Sequence, residues 1–353
     1  MVFKRLLHST KKNIAFAFDI DGVLLRSKTP IPGAGDALRL LNKNNIPYIL
    51  LTNGGGSLEY QRAEFLSNTL DVAISPDQVI LSHTPYRTLA NKYNKILAIG
   101  TPSVREVAKS YGFKNVVHQT DIIRYNKFIT PFTGLSNEQL LEYSQEIPDI
   151  DTKKFDAVLV FNDPHDWAAD IQIITDLLNT NNGMLNTLRN EQTSKPSIPI
   201  YFSNNDLLWA NGYSLNRFGQ GAFRFLVREL YSRLNKGLAL EDTVIGKPTK
   251  ITYDFAHNVL IAWRENLLNG GRNGLLSKLP NWGEEAKTSP FDKVYMIGDN
   301  PASDIIGAYK YGWESCLVRT GVYRDGDKLD GFKPTYTVDN VYDAVTKALE
   351  GTI

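Results

Sequence analysis

The chain has 353 residues, a length that suits two domains better than one core. With 42% hydrophobic and 22% charged residues and a net charge of +1, it has the balance of a folded globular protein, not the positive excess of a polyanion-binding module, so nucleic acid is not an expected partner. The one cysteine, Cys316, excludes an internal disulfide framework and a thiolate metal cluster, and no run reaches the roughly 18 apolar residues of a membrane-spanning segment.

Residues 1–12 contain Lys4, Arg5, Lys11 and Lys12 with Ser9 and Thr10, have no acidic residue, and place Phe3, Leu6 and Leu7 on one helical face. They read either as a short mitochondrial targeting segment or as a solvated basic tail of a cytoplasmic protein. The run Ile14-Ala15-Phe16-Ala17-Phe18 is apolar throughout, as a strand buried on both faces of a parallel sheet requires, and it ends in Asp19-Ile20-Asp21-Gly22. A helical stretch at 33–42 is followed by a second buried strand at 47–51, which ends in Thr52-Asn53-Gly54-Gly55-Gly56-Ser57. A helix to about Asn68 and a third strand at 79–81 complete an alternation that predicts a doubly wound, Rossmann-like α/β domain.

The pattern then restarts. Strands are expected at 95–100, 116–117, 157–161 and 198–202, with helices at 102–111 and 167–179 and a polar, irregular stretch over 119–154. This second α/β unit spans 86–235. The first unit, begun at 13–85, resumes over 236–353 with Thr243 to Pro248, a helix through about Leu268, and a strand at 292–297 that ends in Gly298-Asp299-Asn300. Residues 269–290 are rich in Gly, Asn, Lys and Ser and read as a surface insertion. Cys316 precedes a Leu317-Val318 run and reads as a buried strand thiol.

Four polar clusters follow four apolar strands: Asp19/Asp21, Thr52/Asn53, Lys247 and Asp299/Asp304. Open α/β sheets bind ligands at the carboxyl ends of their strands, so the four converge on one predicted site. Two carboxylates two positions apart on extended backbone point the same way. One of the two can attack phosphorus to form an acyl phosphate while its neighbour gives a proton to the leaving oxygen, help of the kind worth about 10²–10⁴-fold. A phosphate dianion does not approach carboxylates unaided. Asp19, Asp299 and the Asp21 main-chain carbonyl make a hard oxygen site suited to Mg²⁺, and Lys247 and Thr52 hold the phosphoryl oxygens. The glycines at 54–56 either leave backbone N–H groups free for the anion or make a tight turn.

The order D-x-D-G-V, T-N-G, G-K-P and G-D-N-x-x-x-D resembles the haloacid-dehalogenase superfamily over nearly the whole chain, and within it subfamily IIA, which includes nucleotide, 4-nitrophenyl phosphate and phosphoglycolate phosphatases. The resemblance implies Asp19 as nucleophile, Asp21 as acid/base, Thr52, Asn53, Gly54 and Lys247 as phosphate-binding, Asp299 as metal ligand, and Asn300 and Asp304 as supporting residues. It also implies that 86–235 is a large α/β cap, and that a homodimer pairs through it. In the cap, Asn204 and Asp206 resemble a T-N-x-D segment; they are candidates for facing the substrate or orienting the cap, or form a polar turn after a strand. The Thr-Asn-Gly-Gly-Gly sequence departs from the usual Thr-Asn-Asn. With Ser82-His83-Thr84-Pro85 it looks most like a eukaryotic, often mitochondrial branch named after the cat-eye-syndrome region, some members of which are fused to CDP-alcohol phosphatidyltransferases. That implies a small phosphate ester as substrate and a link to glycerophospholipid metabolism. The alternative is a catalytically weak scaffold of the same fold. His83, at the junction with the cap, is either a structural residue or one that touches substrate.

Overall fold

The computed structural model describes residues 13–209, 213–270, 280–286, 288–327, 329 and 331–350. The basic segment 1–12 and, in the insertion at 269–290, residues 271–279 and 287 lie outside the described residues.

β1 (Ile14–Phe18) is buried at every position. A small hairpin of β2 (Leu25–Arg26) and β3 (Thr29–Pro30) follows, then β4 (Tyr48–Leu51) and β5 (Val79–Ile80). A second set comprises β6 (Lys95–Ile99), β7 (Asn115–His118), β8 (Ala157–Val160), β9 (Ile200–Phe202), the hairpin of β10 (Leu208–Trp209) and β11 (Arg217–Phe218), and β12 (Thr243–Val244). The chain ends with β13 (Lys293–Gly298), β14 (Glu314–Val318) and β15 (Tyr336–Val338).

Two parallel sheets result, in the α/β class expected from the sequence. The first runs β15-β14-β13-β1-β4-β5 and the inserted one runs β12-β9-β8-β6-β7. Successive side chains of β1 point to opposite faces. Phe16 and Phe18 join the helices Ala34–Lys43, Glu59–Leu70 and Val341–Glu350 in one core cluster, whereas Ala15 and Ala17 join the helices Lys250–Leu268 and Ile306–Tyr311 in another. Cys316 lies buried in β14, and burial pushes its thiol up to about 12. Among the described residues no helix is long and apolar enough to cross a membrane.

Two stretches differ from the sequence reading. The segment 119–154 contains two short helices, Gln119–Tyr125 and Asn137–Tyr143. Seven residues are too few to show a period, but Ser136 and Gln139 form a capping box on the second helix. Buried Arg105 and Asp121 make a two-pronged ion pair at 2.7 and 2.8 Å that ties the first helix to the preceding one. The second difference is at 243–244: these residues, read as the return to the first unit, instead pair in parallel with β9. The helix Gln220–Leu234 is the crossover of a β-α-β unit, and its second strand must come back beside the first.

Candidate active site

β13, β1 and β4 are adjacent and parallel, so their carboxyl ends deliver Asp299, Asp19 and Thr52 to one edge of the sheet. Lys247 arrives from the other sheet, three residues beyond β12. Its main chain is tied to the β4 loop: the Lys247 N–H donates to Asn53 Oδ1 at 2.7 Å, and Asn53 Nδ2 donates to the Lys247 carbonyl at 3.0 Å. The side chain, 1% exposed, brings Nζ to 3.0 Å from Asp19 Oδ1 and 2.7 Å from Asp304 Oδ1. Burial opposes its charge, but Asp19 and Asp304 more than offset this and raise its pKa.

The acidic partners are held by backbone. Asp304 Oδ2 accepts the Asn300 N–H at 3.0 Å, and Asp299 Oδ2 accepts the Val322 N–H at 2.6 Å. Around Asp299 there is no room for side chains: a Cβ on Gly22 would lie 2.4 Å from Asp299 Oδ2, and one on Gly321 only 1.8 Å away. Asp19, Asp299 and Asp304 each place an oxygen within 4.8 Å of the others. Three carboxylates against one ammonium leave excess negative charge in a buried space, and burial followed by the charges of Asp19 and Asp304 drives Asp299 well above the usual carboxylate range. A hard divalent cation relieves that excess, and an all-oxygen donor set suits it. In Asp304 both oxygens are already engaged, by Lys247 and by Asn300. The Asp21 carboxylate, whose expected share in the metal set was through its main chain, lies outside this trio.

Asp21 turns toward the mouth of the site, its side chain 44% exposed and its Oδ2 at 3.3 Å from Arg62 Nη2. Burial raises its pKa, Arg62 opposes the rise, and the Asp19 charge adds to it. The loop after β4 lies alongside: a Cβ on Gly54 would sit 3.3 Å from Thr52 Oγ1 and 3.6 Å from Asp21 Oδ2. Only part of the expected amide cradle is available. The Gly54 N–H donates to Thr52 Oγ1 at 3.0 Å and the Gly56 N–H to His83 Nε2 at 3.0 Å, which leaves the Gly55 N–H without a protein partner among the described residues.

The cap presses on the same loop. A Cβ on Gly55 would meet His83, Ser82 and the Phe161 carbonyl at 2.8–2.9 Å, and one on Gly56 would lie 2.4 Å from Asn162 Nδ2. The departure to Gly-Gly-Gly is therefore a requirement of cap seating as much as of turn geometry. Ser103 Oγ donates to the Gly56 carbonyl at 2.6 Å, adding a polar cap contact. Asn53 Nδ2 donates to Asp206 Oδ2 at 2.9 Å, while Asn204 Oδ1 accepts the Asp206 N–H at 2.7 Å and the Asn204 N–H goes to Gln220 Oε1. Asn204 thus shapes the turn, and Asp206 joins cap to core. Burial pushes Asp206 up to about 7. His83 is fully buried, and burial pushes it down to about 4. With Nε2 accepting from Gly56, the proton of the neutral ring sits on Nδ1 toward Tyr111 Oη at 2.8 Å, and the Tyr111 hydroxyl donates to Glu59 at 2.6 Å. This is a structural relay at the junction with the cap, not a substrate contact.

Three contributors escaped the sequence reading. Val322 and Gly321 act through a backbone N–H and an absent side chain, neither of which has a residue signature. Arg62 sits on a helix among exposed polar residues and looks like an ordinary surface charge.

Residues 16–114 match the family model described as haloacid dehalogenase-like hydrolase, and residues 244–344 match one described as HAD-hydrolase-like. A mitochondrial hydrolase of Saccharomyces cerevisiae is 67% identical over 350 residues, 99% of either chain. A cardiolipin synthase (CMP-forming)/mitochondrial hydrolase fusion protein of Schizosaccharomyces pombe is 41% identical over 97% of this chain, which spans 54% of that longer protein. Among solved structures, a glycerol phosphate phosphatase of Mycobacterium tuberculosis in complex with magnesium shares the fold, with a TM-score of 0.53, 16% identity, and coverage of 94% of this chain and 76% of that one.

Proposed function

The chain belongs to the haloacid dehalogenase-like hydrolases, and from that premise we propose that it is a Mg²⁺-dependent phosphatase of small phosphate esters, with Asp19 as nucleophile. The observation that carries the proposal is the Lys247 ammonium bridging Asp19 and Asp304 beside Asp299, at the edge to which Asp21 and Thr52 also project. Asp19 attacks phosphorus, the bond from phosphorus to the alcohol oxygen breaks, and Asp21 delivers a proton to that oxygen. The product is an aspartyl phosphate and a free alcohol. Asp21, now ionised, then takes a proton from a water that attacks the acyl phosphate, returning Asp19 and inorganic phosphate. Lys247 spends two of its three N–H groups on Asp19 and Asp304, and the third is available to a phosphoryl oxygen. The Thr52 hydroxyl proton and the Gly55 N–H are available for the others. Asn53 holds Lys247 and the cap in register, and Asn300 and Asp304 fix the lysine from the far side. Mg²⁺, held by Asp19 and Asp299, supplies charge neutralisation and Lewis acidity when bound.

The names of both fungal relatives support a mitochondrial location, and the fusion partner of one supports a place near glycerophospholipid synthesis. Exposed Leu215, Phe218, Phe225, Leu230 and Leu234 support pairing through the cap. The test is phosphate release from a panel of small esters with Mg²⁺. Wild type is expected to turn over, and Asp19→Asn to fall by at least roughly a thousandfold with its fold retained. Equal activity in the two would remove Asp19 as nucleophile.

A further inference from the structure

The mouth of the site carries a cation that this reaction does not use. Arg62, on the helix Glu59–Leu70, approaches Asp21 Oδ2 with Nη2 at 3.3 Å and has a side chain that is 22% exposed. This is long for a charge-assisted hydrogen bond, which usually measures about 2.7–2.9 Å. Among the described residues it is also the only side-chain hydrogen bond that the guanidinium makes. The group is steadied instead by the Phe65 ring, 5.6 Å from its centre. Lys247, by contrast, is buried and claimed by two carboxylates.

Two further arginines brace the loop beside Asp299. Arg26 donates to the Thr320 carbonyl and Arg324 to the Gly321 and Tyr323 carbonyls, all on the loop that supplies the Val322 N–H to Asp299. The bonds that these two guanidinium groups make among the described residues go to main-chain carbonyls, while the Arg324 main-chain N–H donates to Asp327 Oδ2 at 2.8 Å. Arg62 occupies the side where Asp21 meets the departing alcohol, an assignment that rests on the phosphatase reading above.

We infer that Arg62 is a specificity-determining residue that receives a second anionic group, carboxylate or phosphate, on the alcohol portion of the substrate. The planar fork of a guanidinium matches either group with two parallel N–H donors, which the single long contact to Asp21 does not offer. A substrate whose alcohol is neutral leaves Arg62 on Asp21.

Two matched pairs of esters test this with Mg²⁺. Glycerol 3-phosphate against 3-phosphoglycerate adds a carboxylate to a three-carbon frame, and propane-1,3-diol monophosphate against its bisphosphate adds a phosphate. Wild type is expected to favour the charged member of at least one pair by roughly tenfold to a hundredfold in kcat/KM. The pair that shows the preference identifies the anion. R62A is expected to bring that ratio to near one, and R62K to keep part of it. Calorimetry in the Asp19→Asn protein should show the same gap in affinity, abolished by adding R62A, so the reading does not depend on turnover. Wild-type hydrolysis without charge preference, or an R62A loss equal on both members, overturns the assignment while the phosphatase stands. Hydrolysis of none of the four, with no affinity gap, overturns both.

Discussion

Replacing Gly321 by alanine isolates the packing around Asp299. Gly321 is not among the positive-φ residues, so alanine is tolerated by its backbone and the added methyl group is the whole perturbation. That carbon would lie 1.8 Å from Asp299 Oδ2, and real Cβ contacts essentially never fall under 3.0 Å. The carboxylate must retreat by about 1.2 Å or the loop must lift by as much. Either movement breaks the 2.6 Å bond from the Val322 N–H, a charged hydrogen bond worth about 1.5–3 kcal/mol, and spreads the trio that now lies within 4.8 Å. A displacement of about 1 Å at a catalytic group costs on the order of a hundredfold in rate. G321A is therefore expected to lose about two orders of magnitude in kcat and to need more Mg²⁺ for half-maximal activity. Gly134→Ala, where nothing lies within 4 Å, serves as the control. Wild-type kcat and Mg²⁺ dependence in G321A, measured by phosphate release across a Mg²⁺ titration, would show that Asp299 is not held as described.

Two further outcomes follow from the charges. Chelation by EDTA is expected to abolish phosphate release and lower the thermal midpoint, because Asp19, Asp299 and Asp304 then share only Lys247; Mg²⁺ should restore both, and indifference would count against the metal site. His83 and His118, both buried with pKa values near 4 in the fold, bind more protons unfolded, where their pKa is about 6.5. Stability from each is full above about pH 6.5 and is lost as the pH falls toward 4, amounting to about 2 kcal/mol per histidine at pH 5. Denaturant unfolding at pH 7 and pH 5, with His118→Gln as comparison, checks this; a wild-type minus variant difference that stays flat with pH would refute it.

What the sequence made legible was what obeys period and position. β1, β4 and β13 are apolar at nearly every position because both faces are covered, and the polar residues at their ends stand out by contrast. Asp19, Thr52, Lys247 and Asp299 were visible for that reason. The rest acts through features without a residue code. Val322 offers only its amide, Arg62 is one charge among several on a half-exposed helix, and the two glycine amides at 54 and 56 are consumed by Thr52 and His83, neither of which announces that use. β12 is two residues long, too short to be separated by pattern from the Ile245-Gly246-Lys247 that follows it.

That short strand has a consequence for how the molecule can be recombined. Val244 still belongs to the cap sheet, yet the Lys247 ammonium already lies between Asp19 and Asp304 of the core. The whole passage from one body to the other takes Ile245 and Gly246, the first bonded to Phe202 of the cap and the second, at φ 85°, to Thr252 of the core helix. A cap grafted from a relative would therefore import the alignment of the lysine along with its own walls. The outgoing splice runs through buried Ser82, His83, Thr84 and Tyr86, and the returning one must be correct to a single residue.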